Sequence, residues 1–180
     1  MKLMIASDIH GSKYFCEKLM TRYMDERPDK LILLGDLLYH GPRNDLPKDY
    51  EPKKVISLLN LVKDHLLCVR GNCDSDVDQM VLDFPIMSGC ITVMIDGITM
   101  YFTHGHKYNE KNIPPMCAHD ILIFGHTHVP LVEEKKECIC LNPGSVSIPK
   151  ENSPHSYMIY ENMEFLWKDI EGEEYMSMKI

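Results

Sequence analysis

KLMIASDIHGSKYFCEKLMTRYMDERPDKLILLGD (residues 2–36) is the stretch on which the fold turns. It opens with a short apolar run, KLMIA (2–6), that ends in the polar cluster SDIHGS. Phe15, Leu19, Met20 and Tyr23 then recur at helical spacing, and Pro28 stops that helix. A second short apolar run, KLILLG (30–35), ends at Asp36. Strand–helix–strand is the pattern of an α/β sheet with parallel neighbours, because parallel strands need a crossover and a helix supplies it.

The rest of the chain extends this pattern. Residues 37–52, LLYHGPRNDLPKDYEP, are rich in proline and polar groups and read as a long surface loop of the kind that carries function. Val55, Leu58, Leu59 and Val62 share one face of a second amphipathic helix over 53–65. LLCV (66–69) is a third strand, followed by a short polar helix near 76–82. CITVMI (90–95), an Asp96–Gly97 turn and ITMYFT (98–103) form a β-hairpin pattern. DILIFG (120–125), ECICLNPGS (137–145) and SYMIYENMEFLWK (156–168), the last with a turn at Glu161–Asn162, supply further strands. With 180 residues and 44% hydrophobic content, one domain spanning 1–180 is expected.

Composition narrows the function. A net charge of −8 argues against a general nucleic-acid binder. It does not exclude a small phosphate ester, because a bound metal reverses the field locally. The run before Asp8 is too short for a secretion-signal core, and no segment approaches a membrane span. Seven cysteines, an odd number, without such a signal point to reduced thiols in a cytoplasm. Cys138 and Cys140 alternate as in a strand and read as packing.

Five of the apolar runs end in residues of ligand type: Asp8 with His10, Asp36, Asn72, His104, and His126 with His128. In α/β sheets, ligand sites lie beyond the carboxyl ends of the strands, where loops converge without disturbing the ladder. On an extended chain, Asp-x-His and His-x-His put two ligands roughly 6–7 Å apart on one side. That spacing suits one wrapped ion or two ions side by side. Imidazoles, carboxylates and an amide are borderline and hard donors, suited to Mn²⁺, Fe²⁺, Co²⁺, Ni²⁺ or Zn²⁺ rather than Ca²⁺ or a thiolate cluster. Seven ligands exceed one tetrahedral site and suffice for two ions sharing a carboxylate. Such a centre is net positive even with a bridging hydroxide, and it would promote in-line displacement at phosphorus. Each motif alone is weak; their order, each after an apolar run, is specific.

SDIHG, LLGDLLYHGPRN, VRGNCD, FTHGH, FGHTH and LNPGSVSIPK together resemble the calcineurin-like metallophosphoesterases, and more narrowly their YfcE-type bacterial phosphodiesterase branch. The resemblance covers residue 1 to about 160. It implies an α/β fold: a four-layer α/β/β/α sandwich of two mixed sheets flanked by helices, with a dinuclear site at one edge. Carried over motif by motif, Asp8, His10, Asp36 and His128 would hold one ion. Asp36, Asn72, His104 and His126 would hold the other, with Asp36 bridging. Two divalent ions are implied, Mn²⁺ first, with Zn²⁺, Fe²⁺, Co²⁺ or Ni²⁺ as alternatives. The expected activity is metal-dependent hydrolysis of a small or accessible phosphodiester by attack of a metal-bridging hydroxide, with Asp36, Asn72 and His104 also catalytic. Two rivals share the scaffold: a phosphomonoesterase, and a binding platform like the retromer subunit of this fold. A cytoplasmic protein that forms a homo-oligomer, dimer or tetramer, without membrane association, is the accompanying expectation.

One position departs from the wider pattern. Much of that superfamily has a histidine after the Gly-Asn pair, serving as the acid that protonates the leaving group. Here Cys73 stands in its place, as in the YfcE-type branch. A thiol can donate a proton but is a poor hydrogen bonder. Cys73 is therefore read as structural or a weak contributor to catalysis, ahead of metal ligation, since seven ligands are complete without it, and ahead of a nucleophilic role, which a metal-bound hydroxide makes unnecessary. Arg43 is either a phosphate clamp or a solvated loop residue. His106 and His40 are either contacts around the site or ordinary polar residues. Asn142, Gly144 and Ser145 are expected to shape a turn near it.

Overall fold

The computed structural model describes residues 1–180. Its strands are β1 (Leu3–Ala6), β2 (Lys30–Leu33), β3 (Leu66–Cys68), β4 (Ile91–Ile95), β5 (Ile98–Thr103), β6 (Ile121–Phe124), β7 (Leu131–Glu134), β8 (Ile139–Asn142), β9 (Ser156–Glu161), β10 (Glu164–Asp169) and β11 (Glu174–Lys179). The helices are α1 (Lys13–Glu26), α2 (Pro52–Asn60) and the single turn α3 (Asp76–Gln79). Six strands form one sheet in the order β11-β10-β9-β1-β2-β3, and five form the other in the order β4-β5-β6-β8-β7. Both sheets are mixed. β1 pairs parallel with β2 and β2 with β3, while β9 joins β1 antiparallel. In the other sheet β5, β6 and β8 are parallel.

Local chemistry sets the boundaries. Ser12 caps α1 by accepting from the Phe15 N–H at 3.3 Å, and Arg27 closes it in the left-handed region just before Pro28. α2 begins at Pro52, where the missing N–H costs nothing. The single helix expected over 53–65 is instead α2 followed by a separate 3₁₀ turn, Lys63–His65. The β9–β10 turn falls at Asn162–Met163, one residue later than expected. Both residues have positive φ, 52° and 64°, as a primed hairpin turn requires.

Two strands were not anticipated. β7 is half-buried on both faces and shows no alternation, and β11 alternates but sits in a polar tail. Both lie at sheet edges, where one row of backbone groups faces solvent and the hydrophobic signal is weakest.

The sheets pack face to face. Leu3, Ile5, Ile32 and Leu34 meet Met100, Phe102, Ile121 and Ile123, with Tyr160, Phe165 and Trp167 completing this core. On the far side of the first sheet, Phe15 and Leu19 of α1 and Val55 and Leu59 of α2 cover Met4, Ala6, Leu31 and Leu33. The far side of the second sheet is thinner. Leu122, Phe124, Cys138 and Cys140 are covered by Ile113 and Met116 from the 104–120 connection, which carries no helix. Cys138 and Cys140 stand 3.7 Å apart as free thiols inside that layer, as packing groups. No helix is long and apolar enough to cross a membrane.

Trp167 ties the inter-sheet core to the strand-end loops: it is fully buried and its Nε1–H donates to the Asn142 carbonyl at 2.7 Å. Trp167→Phe removes volume and the Nε1–H that donates to that carbonyl. We expect a loss of about 2 kcal/mol, read from the urea midpoint by circular dichroism. An unchanged midpoint would contradict this placement.

Candidate metal centre

β1, β2, β3, β5 and β6 deliver Asp8 and His10, Asp36, Asn72, His104, and His126 and His128 to one place. The backbone there is not extended. Asp8, His10, Asp36, His126 and His128 have φ of 61°, 49°, 55°, 66° and 63°, a left-handed conformation costly for residues with a Cβ. This corrects the extended-chain spacing expected for the two motifs. The chain kinks at Asp8, His10, His126 and His128, and the members of each motif are aimed separately.

Backbone contacts hold the kinks. His10 N–H donates to the Asp36 carbonyl at 2.9 Å, and His126 N–H donates to Asp8 Oδ2 at 3.1 Å. The hydroxyls of Ser145 and Ser147 both donate to the Asp8 carbonyl at 3.0 Å. Two glycines allow the approach. A Cβ on Gly71 would lie 2.0 Å from Asp36 Oδ1, and one on Gly125 would lie 1.9 Å from Ser7 Oγ.

The imidazoles are oriented by their outer nitrogens. Nδ1 of His10, His104 and His128 lies 2.7, 2.7 and 2.6 Å from the carbonyls of Tyr39, Leu34 and Ile148. A carbonyl only accepts, so each Nδ1 carries the proton and each Nε2 points inward. His10 Nε2 and His128 Nε2 lie 3.4 Å apart, and 3.5 and 3.4 Å from Asp8 Oδ1. His104 Nε2 is 3.0 Å from Asn72 Oδ1, 3.2 Å from His126 Nδ1 and 3.5 Å from Asp36 Oδ2. Asp36 Oδ2 is also 3.7 Å from His10 Nε2, so it faces both groups.

These residues fit divalent ions. Asp8 Oδ1 is buried and has no hydrogen-bond partner, an expensive state for a carboxylate oxygen unless a cation meets it. Two nitrogens about 2.1 Å from a tetrahedral ion stand about 3.4 Å apart, which matches the separation of His10 and His128.

Electrostatics point the same way. Burial alone would raise Asp8 and Asp36, but the surrounding imidazoles outweigh it and hold both below the usual carboxylate range. Burial depresses His104, yet Asp36 and Asp8 carry it up to about 9. His126 and His128 are lowered, chiefly by burial, toward the neutral form that ligates metal.

Sequence reasoning passed over Asp74. Its Oδ2 accepts from the N–H groups of Asp36 at 2.9 Å and Gly71 at 2.7 Å, and its Oδ1 accepts from Leu37 at 2.9 Å. One buried carboxylate thus pins the ends of β2 and β3 together. Its signal was the acidic residue after Cys73 in GNCD.

Cys73 is half-buried. Its N–H donates to Asp36 Oδ1 at 2.8 Å, and its Sγ accepts from Asn72 Nδ2 at 3.2 Å, which turns Asn72 Oδ1 toward His104. Burial and then the neighbouring Asp36 push the thiol up to about 12, so it is a thiol and not a thiolate.

A cleft of about 450 Å³ opens over the cluster and is lined by Asp36, Asn72, Cys73, His126 and His128, with Arg43 and Lys150 beside them. Arg43 thus faces the cleft. Lys150 was not singled out, although it closes the quoted LNPGSVSIPK motif. His106 is exposed, with its ring 5.5 Å from that of His104. His40 packs edge-on against Tyr39 and Tyr50 and does not line the cleft. Asn142 donates to the Gly125 carbonyl at 2.9 Å and accepts from the Gly144 N–H at 2.8 Å, shaping the turn before His126.

Residues 1–164 match the calcineurin-like phosphoesterase superfamily domain, and the chain belongs to that family. It is 46% identical to phosphodiesterase YfcE of Escherichia coli (strain K12) over 162 residues, covering 90% of this chain and 88% of that one. The solved structure of the E. coli phosphoesterase YfcE superposes with a TM-score of 0.97 at 42% identity, over the whole of both chains. Vacuolar protein sorting 29 from Cryptosporidium parvum shares the fold at a TM-score of 0.64 and 16% identity, covering 99% of this chain and 98% of that one.

Asp74→Asn puts an amide where a carboxylate accepts three N–H groups. The variant should fold and bind Mn²⁺ about tenfold or more weakly, measured by calorimetric titration of the metal-stripped protein. Unchanged affinity would remove Asp74 from the support of the site.

Proposed function

We propose that the chain is a metal-dependent phosphodiesterase whose site takes two divalent ions, Mn²⁺ first. Asp8, His10, Asp36 and His128 would hold one ion; Asp36, Asn72, His104 and His126 would hold the other. The observation that carries this reading is the inward set of imidazole nitrogens around two buried carboxylates, with Asp8 Oδ1 unpartnered and Asp36 Oδ2 facing both groups. The 46% identity to a named phosphodiesterase supports the ester class.

The chemistry a divalent pair supplies when bound is acidification of water and neutralisation of charge at phosphorus. The chain's own residues do the rest. Arg43 and Lys150 flank the cleft and suit the anionic phosphate of a bound ester. Asn72 is held in one orientation by Cys73, so its carbonyl oxygen faces inward before substrate arrives. Cys73 keeps its proton and lines the same cleft, where it is a weak donor for a departing alkoxide. Weak assistance favours diesters whose leaving group is already stable as an anion. A cleft of this size suits a small or exposed diester.

The protein stripped with chelator should be inactive, and Mn²⁺ should restore turnover of bis(4-nitrophenyl) phosphate above that of 4-nitrophenyl phosphate. No metal-dependent turnover of either ester would defeat the enzyme reading. Faster turnover of the monoester would reverse the substrate class.

A further inference from the structure

We propose that a second cleft beside the centre, lined by Arg70, His106 and Lys107, holds a further phosphate group carried on one arm of the diester. The proposal rests on the phosphodiesterase reading above. This cleft, about 340 Å³, shares His104 in its wall with the proposed metal centre. The His106 ring lies 5.5 Å from that of His104 and 6.3 Å from that of His126, so the second cleft adjoins the centre through His106.

Its lining has one sign of charge. Arg70, Lys107 and His106 face it, and no carboxylate does. The chain holds 27 acidic residues against 19 basic ones, and several of its cations find carboxylates, as Lys2, Lys13, Lys18, Arg22, Lys63 and Lys168 do. Arg43 and Lys150 in the first cleft, and Arg70 and Lys107 in the second, form no ion pair. Four cations gathered around one centre, in clefts that share it, exceed what a singly charged diester needs. Arg70 is also held in place, because its Nε–H donates to the Asp74 carbonyl at 3.2 Å, leaving its outer nitrogens free. A planar fork beside an ammonium suits a phosphate dianion better than a single carboxylate.

The test compares two matched esters on the Mn²⁺-loaded full chain: 4-nitrophenyl ethyl phosphate and 4-nitrophenyl 2-phosphoethyl phosphate. The leaving group is the same, so the distal phosphate alone differs. The phosphorylated ester should have a kcat/KM about tenfold higher, mainly through KM, and the preference should shrink as salt rises. Arg70→Ala and the exposed-site variant Lys107→Glu should each cut the ratio of the two esters severalfold. A ratio near one in the wild type, or a ratio unmoved by both variants, overturns the subsite while leaving the diesterase reading intact. If neither ester turns over, the diesterase reading fails. Calorimetric binding of the two esters to the same protein then decides the subsite by the same ratio and the same variants. A carboxylate ligand would show as an equal preference for the 2-carboxyethyl ester, which would overturn the assignment to phosphate.

Discussion

Burial of two carboxylates at one sheet edge is the constraint on which this structure depends. Asp8 and Asp36 are 0% and 2% exposed, and like charges so placed demand compensating positive charge. The protein surrounds them with imidazoles whose outer nitrogens are spent on the carbonyls of Tyr39, Leu34 and Ile148. That aims the inner nitrogens at the carboxylates, an arrangement that suits cations held between them. The left-handed backbone at five of these residues, the bare glycines at 71 and 125 and the three-way grip of Asp74 all serve to bring strand ends this close.

Much of this was legible in the order of the residues. Short apolar runs ending in Asp8, Asp36, Asn72, His104 and His126 marked the parallel strands and the edge where these residues meet, because the strand that buries its side chains also aims the residue after it. The helix over 13–26 was legible because Pro28 closes it and its apolar spacing is regular. β7 and β11 were not legible, since edge strands carry little of the alternation that burial imposes. Nor was the outer layer over the second sheet, where a loop supplies the cover that a helix was expected to give. The kinked backbone at Asp8, His10, Asp36, His126 and His128 was hidden for a different reason: positive φ there is imposed by tertiary contacts that the local sequence does not signal.

Cys73 illustrates how a substitution redistributes roles. At this position the chain has a thiol that accepts from Asn72, while the backbone N–H of Cys73 donates to Asp36. Arg43 and Lys150 line the first cleft, and Arg70 and Lys107 the second. Binding of a polyanionic ester and weak protonation of its leaving group are compatible, because charge at the rim can raise occupancy without touching the bond that breaks.

The bridging place proposed for Asp36 is tested most directly by Mn²⁺ stoichiometry. The metal-stripped wild type and Asp36→Ala would be titrated by calorimetry, with electron paramagnetic resonance to detect coupling between ions. The wild type should take up about two ions per chain with a spin-coupled signal, and Asp36→Ala should lose tight binding of both. Saturation of the wild type by one uncoupled ion, or retention of two by Asp36→Ala, would contradict the shared carboxylate.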